Sequence, residues 1–408
     1  MKMLKFLILL VIGGLLAGCG TFEIGIEATP TLLTAAASPS ATQAVETATA
    51  SAPEQATLTP DVIPTSTFTL PPSSPLAGLV YRAGDSLYRF GPDGQPQSLA
   101  PGLDPQMLPG QFTPRAVVSP DGAQMVSWWD FSDLWLVDLR TGKVHNLTNT
   151  PGRVECCAQF WPARPDTVVF MSQPAGSQGQ SIGYPTLIKL DGSGYQVLDE
   201  SSASLGLPAP APDGKLIAFD RAGEAWLYHA DRGLEPLNPA GYGLQDPTGN
   251  LKLASPAWAP DGKRLAWIAS GEIGPKGSSV FTPAIFNLES KTHLLLDPFH
   301  TAGGEGWPAA PVWSADGTWL AFLDFSSDQF GMWIAGSDGT NEKRVYQPAT
   351  VRSTTGLQAL WSPQTTQLMV IDPNAEGGTH ALLIEAASGQ SQAVPLPSGA
   401  FPMAWPRP

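Results

Sequence analysis

Pro256-Ala-Trp-Ala-Pro-Asp-Gly-Lys-Arg-Leu-Ala-Trp-Ile-Ala269 is an apolar strand, a turn and a second apolar strand in fourteen residues. Pro311–Asp324 (PVWSADGTWLAFLD) and Ala359–Asp372 (ALWSPQTTQLMVID) repeat the pattern. Weaker copies stand at Ala116–Trp129, Ala158–Met171 and Ala209–Asp220. A seventh stops half-finished as PMAWPRP, from Pro402 to the end, and its missing half is present near the other end as GLVYRAG, from Gly78. The residue before each turn is Val118, Trp161, Pro210, Trp258, Trp313, Trp361 or Trp405, at gaps of 43, 49, 48, 55, 48 and 44 residues. Nine residues beyond the first six come Ser127, Phe170, Phe219, Trp267, Phe322 and Val370. A fixed internal spacing with variable gaps means a fixed structural unit with variable loops, and a period in the forties suits a four-stranded propeller blade. The split copy predicts a ring closed by its own two ends.

The turns have a physical reason. Ser-Pro-Asp-Gly places Pro where φ near −65° is wanted and lets Gly take the positive φ that starts a bulge in the next strand. Similar turns are expected at Gly91–Gly94, Asp191–Gly194 and Ser337–Thr340. The second strands are continuous apolar runs (LIAF, RLAWIA, WLAFL, QLMVI), as expected of strands buried on both faces. A pair of stacked sandwiches would not keep so regular a period. The expected fold class is all-β: a seven-bladed propeller of four-stranded antiparallel blades, residues 76–408. Closure is three-plus-one, with strands near Leu79–Tyr81, Leu87–Phe90 and Gln97–Ala100 joined by Phe401–Trp405. In the third unit Arg164-Pro165 replaces Asp-Gly, and a six-bladed ring is the alternative if that unit is no blade.

The repeat resembles that of TolB-like and WD-repeat-like propellers, whose core reads W-S-P-D-G-x-x-I-A-F. The resemblance covers about Leu79 to the end and implies a fold, since such propellers host unrelated functions. Ser314–Trp319 is similar to the Asp box of sialidases but lacks one residue between Asp and Gly, and reads better as the repeat's own turn.

Residues 1–18 read as a secretory signal: Lys2 and Lys5, then an apolar run from Phe6 to Leu16, too short to span a bilayer as a helix. Leu16-Ala17-Gly18-Cys19 resembles the lipobox of bacterial lipoproteins, which implies cleavage before Cys19 and a lipid on its sulfur. Residues 19–75 are expected to be a disordered tether. From Gly20 to Pro75 the chain is rich in Thr, Pro, Ala and Ser and has no Lys or Arg. It carries too few large apolar groups to fold, and as a coil its ends would lie roughly 40 Å apart. The expected location is therefore extracytoplasmic, on the bacterial cell membrane.

The net charge is −14, and no basic stripe is present, so nucleic acid is not an expected partner. Of three cysteines, Cys19 goes to the lipid. Cys156 and Cys157 are adjacent, and both a vicinal disulfide and two free thiols stay open. The five histidines show no metal-ligand spacing. No catalytic residue, metal or cofactor is expected, and the chain reads as no enzyme.

Shape remains. In a four-strand meander the first-to-second and third-to-fourth turns share one face of the ring, and here they are tight. The other face collects the long segments Met171–Pro185, Asn238–Ser255, Ala269–Pro283 and Asp297–Ala310. Long loops on a rigid scaffold are where binding usually lives. The expected binding residues are Trp128, Trp129, Asp130, Phe131, Asp133, Trp307 and Phe325, an aromatic group with a polar rim. The expected partner is a protein or peptide at the cell envelope, and the alternative is a glycan or a cell-wall-sugar enzyme. Cys19→Ser is expected to abolish lipid labelling, and a chain starting near Ser74 to be soluble and folded. A need for detergent in that shortened chain would reveal a second membrane contact.

Overall fold

The computed structural model describes residues 74–101, 116–128, 133–176, 183–201, 203–204, 206–273, 280–296, 310–324, 330–348, 357–373, 375 and 378–406. The expected signal and nearly all of the tether lie outside these residues.

Seven four-stranded antiparallel sheets follow one another around a ring. Blade 1 joins β1 (Val80–Ala83), β2 (Ser86–Phe90) and β3 (Pro96–Ala100) to the last strand of the chain. Blade 2 is β4 (Ala116–Val118), β5 (Gln124–Trp128), β6 (Leu134–Asp138) and β7 (Val144–Asn146). Blade 3 is β8 (Arg153–Trp161), β9 (Arg164–Pro174), β10 (Tyr184–Lys189) and β11 (Gln196–Val197). Blade 4 is β12 (Ala209–Pro210), β13 (Leu216–Arg221), β14 (Glu224–His229) and β15 (Gly233–Pro236). Blade 5 is β16 (Lys252–Trp258), β17 (Arg264–Gly271), β18 (Val280–Asn287) and β19 (Thr292–Leu295). Blade 6 is β20 (Val312–Trp313), β21 (Trp319–Asp324), β22 (Gly331–Gly336) and β23 (Lys343–Tyr346). Blade 7 is β24 (Gln358–Trp361), β25 (Gln367–Asp372), β26 (His380–Glu385) and β27 (Ser391–Ala393), and β28 (Ala400–Ala404) returns to pair with β1.

The three-plus-one latch is therefore present, with Tyr81 opposite Pro402 and Ala83 opposite Ala400. The third unit is a true blade and seven blades result. Its departure is confined to the hairpin: Trp161 pairs directly with Arg164 across Pro162-Ala163, and the Arg164 guanidinium lies 4.3 Å from the centre of the Trp161 ring. Elsewhere the Asp of the turn caps the backbone beyond it. Asp121 accepts from Ala123 N at 3.0 Å and Asp316 from Thr318 N at 3.0 Å, while Gly122 and Gly317 take φ of 68° and 70°. Apart from their end residues, β13, β21 and β25 are buried along their length. They fill the interfaces between blades on both sides.

The recurring Trp has a specific task. Trp258 Nε1 donates to Ala209 O at 2.9 Å, Trp313 Nε1 to Ala257 O at 3.0 Å, and Trp361 Nε1 to Val312 O at 2.9 Å. Each bond runs from one blade's innermost strand to the preceding blade's. Trp161 instead reaches forward to Ala211 O, and Trp405 reaches Ala77 O across the closure.

Removing such a donor leaves a largely buried carbonyl unpaired. Trp313→Phe is expected to lower stability by about 1–3 kcal/mol in denaturant titrations. Deleting Phe401–Pro408 exposes β1 and the apolar surface under Phe401, Met403 and Trp405. That deletion is expected to give aggregated or protease-sensitive protein, and an unchanged melting temperature would refute the latch.

Candidate functional site

The innermost strands enclose a cavity of about 700 Å³ on the ring axis. Its wall comes from β4, β8, β20, β24 and β28, with Trp128, Leu207, Ala310, Leu323 and Met332 from neighbouring segments. Every described side chain of this wall is uncharged, and Gln159 and Gln358 carry its only side-chain amides. Gln358 Nε2 is buried and has no hydrogen-bond partner among the described residues. A volume in this range suits a small molecule or one or two inserted side chains. A charged group would lose its hydration there without a counter-charge from these residues.

Strand direction tells the two ends apart. Each innermost strand enters from the long-loop face and leaves at the tight turn. Gln358 opens β24 at the long-loop end and Trp128 ends β5 at the same end, while Cys156 and Cys157 lie at the middle of β8. Cys156 and Cys157 are joined as a vicinal disulfide with Cα atoms 3.7 Å apart, and both line the cavity.

Of the expected binding residues, Trp128 is half-buried, packs against the apolar contact between blades 2 and 3, and lines the cavity. Trp129, Asp130, Phe131, Trp307 and Phe325 lie outside the described residues. Asp133 is engaged by its own blade: it accepts from Asn146 Nδ2 at 2.6 Å, Thr148 Oγ1 at 3.3 Å and Thr150 N at 3.1 Å. Three of the long segments are shorter than expected, because β9 runs to Pro174, β16 begins at Lys252 and β17 runs to Gly271. The blade 3 and blade 5 hairpins are thus longer than their neighbours.

One group escaped the sequence reading. Glu155, next to the disulfide, is fully buried and accepts from Thr148 Oγ1 at 3.0 Å, from Thr150 Oγ1, and from Ser172 Oγ and Tyr195 Oη at 3.4 Å each. Burial pushes its carboxyl above the ordinary value of 4.5, against the hydroxyl donors that favour the anion. No spacing rule marks a lone Glu between Val and Cys. Its partners come from three segments, the β7–β8 loop, β9 and the β10–β11 loop, which only the fold assembles.

No family model and no curated protein matches the sequence. Solved structures do. An oligogalacturonate lyase in complex with manganese is 14% identical over 73% of this chain and 82% of its own, with a TM-score of 0.54. A puromycin-hydrolyzing peptidase of Mycobacterium tuberculosis is 15% identical over 80% of this chain and 56% of its own, at 0.50. TolB from Acinetobacter baumannii is 20% identical over 64% of this chain and 61% of its own, at 0.41. What is shared at such identities is the propeller fold. The expectation that the chain is no enzyme is corrected by these likenesses: a lyase and a peptidase carry the same fold, so the fold does not argue against catalysis.

The raised Glu155 carboxyl gives a signed expectation. The folded chain holds this proton more tightly than the unfolded chain. Its stabilising contribution is therefore complete below about 4.5 and is lost as pH rises through the raised folded value. Glu155→Gln carries no such titration. Its thermal midpoint is expected to fall less than that of the natural chain between acid and neutral pH, and parallel curves would show that Glu155 does not titrate in this way.

Proposed function

We propose that this chain is a lipid-anchored, extracytoplasmic propeller that binds a protein or peptide partner at the cell envelope through the long-loop end of its central channel. The observation that carries the reading is the uncharged wall of the 700 Å³ cavity, whose lining runs from Pro120 at the tight-turn end to Trp128 at the long-loop end. A side chain of the partner would be inserted there, with the surrounding loops as its rim. The anchor rests on Leu16-Ala17-Gly18-Cys19 and the tether on the composition of residues 20–75. A second reading, glycan binding or processing of a cell-wall sugar, draws on Trp128 as a ring-stacking surface at the channel wall and on the amides of Gln159 and Gln358.

Crosslinking in intact cells followed by mass spectrometry of what is recovered with the chain tests the first reading, and a glycan array tests the second. With the recovered partner in hand, Trp128→Ala is expected to weaken binding by about 2 kcal/mol or more. Lys143→Ala and Lys291→Ala, on the tight-turn face, are expected to leave it unchanged. Trp128 also packs between blades, so Trp128→Phe, which keeps most of that packing, serves as the second variant. Equal or larger losses from the lysine variants would place binding on the opposite face.

A further inference from the structure

The vicinal disulfide sits on a backbone feature that does not require it. In blade 3, Cys156 pairs with Met171 and Gln159 with Val169, so β8 holds one extra residue against β9. In blade 5, Ala254 pairs with Ile268 and Ala257 with Ala266, the same bulge at the same place. The residue inside the bulge has a left-handed backbone in both blades, Cys157 at φ 65° and Ser255 at φ 53°. Blade 5 makes this bulge with Ala254-Ser255 and no sulfur. The bond between Cys156 and Cys157 is therefore surplus to the strand geometry. What it adds is a compact, uncharged, polarisable group in the channel wall, presented by the partly exposed Cys157 while Cys156 is buried behind it.

Three further features of the same wall define what would rest on it. Trp128, Phe160, Met332 and Met403 make the surroundings apolar and soft. The absence of charge among the described wall residues selects a neutral group. Gln358 Nε2 is a buried donor awaiting an acceptor, and a backbone carbonyl supplies one.

We propose that the Cys156–Cys157 disulfide is the platform on which the channel holds an uncharged aromatic side chain of its peptide partner, with a carbonyl of that peptide accepting from Gln358 Nε2, and that reduction of the disulfide by a dithiol releases the peptide. The inference rests on the channel being the binding site. The chemistry balances: the Sγ–Sγ bond breaks, Cys156 and Cys157 each gain a hydrogen, and the dithiol closes to its own cyclic disulfide. The ring becomes two separate S–H groups whose side chains turn independently, and the platform is lost while the bulge remains.

The test uses the full chain purified in detergent, with N-acetyl-phenylalanine amide as probe and saturation-transfer NMR as readout. N-acetyl-phenylalanine, its anionic relative, and N-acetylglucosamine are the comparison probes. The amide is expected to bind, and to bind at least about tenfold more weakly after equilibration with dithiothreitol, with two new thiols by titration and an unchanged circular dichroism spectrum. The anion and the sugar are expected not to bind. The Cys156→Ser/Cys157→Ser double variant is expected to match the reduced chain under both conditions, and Gln358→Leu to weaken the amide only in the oxidised chain. Unchanged amide binding after reduction would overturn the platform and leave the channel as a site. Loss of folded structure on reduction would also overturn it, because the bulge would then depend on the bond. Binding of the anion or the sugar in place of the amide would overturn the ligand class. No binding of the amide in either redox state would overturn the inference and the channel reading together.

Discussion

The innermost strands of blades 6 and 7 are short, and an indole bond to the preceding blade fixes each. β20 has two residues and β24 four, yet Trp313 and Trp361 end them with an indole that packs into the interface and donates to the preceding blade's backbone. The donor lies at the far edge of a wide apolar side chain, so one residue fills the wedge between blades and also pairs a carbonyl there. Phe or Leu could do only the first. Trp405 at the closure donates instead within blade 1, to Ala77 O just before β1, from the opposite end of the chain. The two ends of the ring are thus joined by a ladder and by an indole bond.

Fixing the strands at their tight-turn ends leaves their other ends free to differ. β8 and β16 extend further than the other first strands and carry the two left-handed bulges. A bulge turns consecutive residues toward the same side, which plain alternation forbids. That is how Cys156 and Cys157 both come to line the channel. Immediately before them Glu155 is held by hydroxyls from Thr148, Thr150, Ser172 and Tyr195. This polar layer stiffens the strand just where its backbone leaves the regular path.

The repeated Trp, the Asp-Gly turns and the doubly buried second strands were legible because each repeats at a fixed spacing and has one physical cause. The third blade was harder to read. Its hairpin closes across Pro162-Ala163 with Arg164 over Trp161, a local solution outside the repeat that left six blades open as an alternative. The site was legible only in part. Parity of the meander pointed to the long-loop end, and Trp128 does line the channel. Asp133 looked like a polar rim but is taken up by Asn146, Thr148 and Thr150, which depends on contacts within a folded blade. The adjacent cysteines were visible in the sequence with their bonding left open, but the surroundings of Gln358 and of the buried Glu155 are assembled by the fold, and no window of sequence contains them.

The acidic character of the chain shows why residue counts mislead here. Several carboxylates of the propeller are occupied in holding the chain's own turns and loops. Asp121, Asp213, Asp261, Asp316 and Asp338 cap hairpins. Asp220 accepts from Ser204 Oγ, Gly206 N and Gly223 N at the end of β13. Asp372 accepts from Tyr346 Oη at 2.6 Å at the end of β25. Placing charge at the ring's surface and strand ends lets the described axis of the ring stay neutral, since a carboxylate facing the channel would need a partner in a wall that is otherwise apolar. Under the proposed channel reading, that division would sort what enters by shape and softness, while long-range charge acts on whatever approaches from outside.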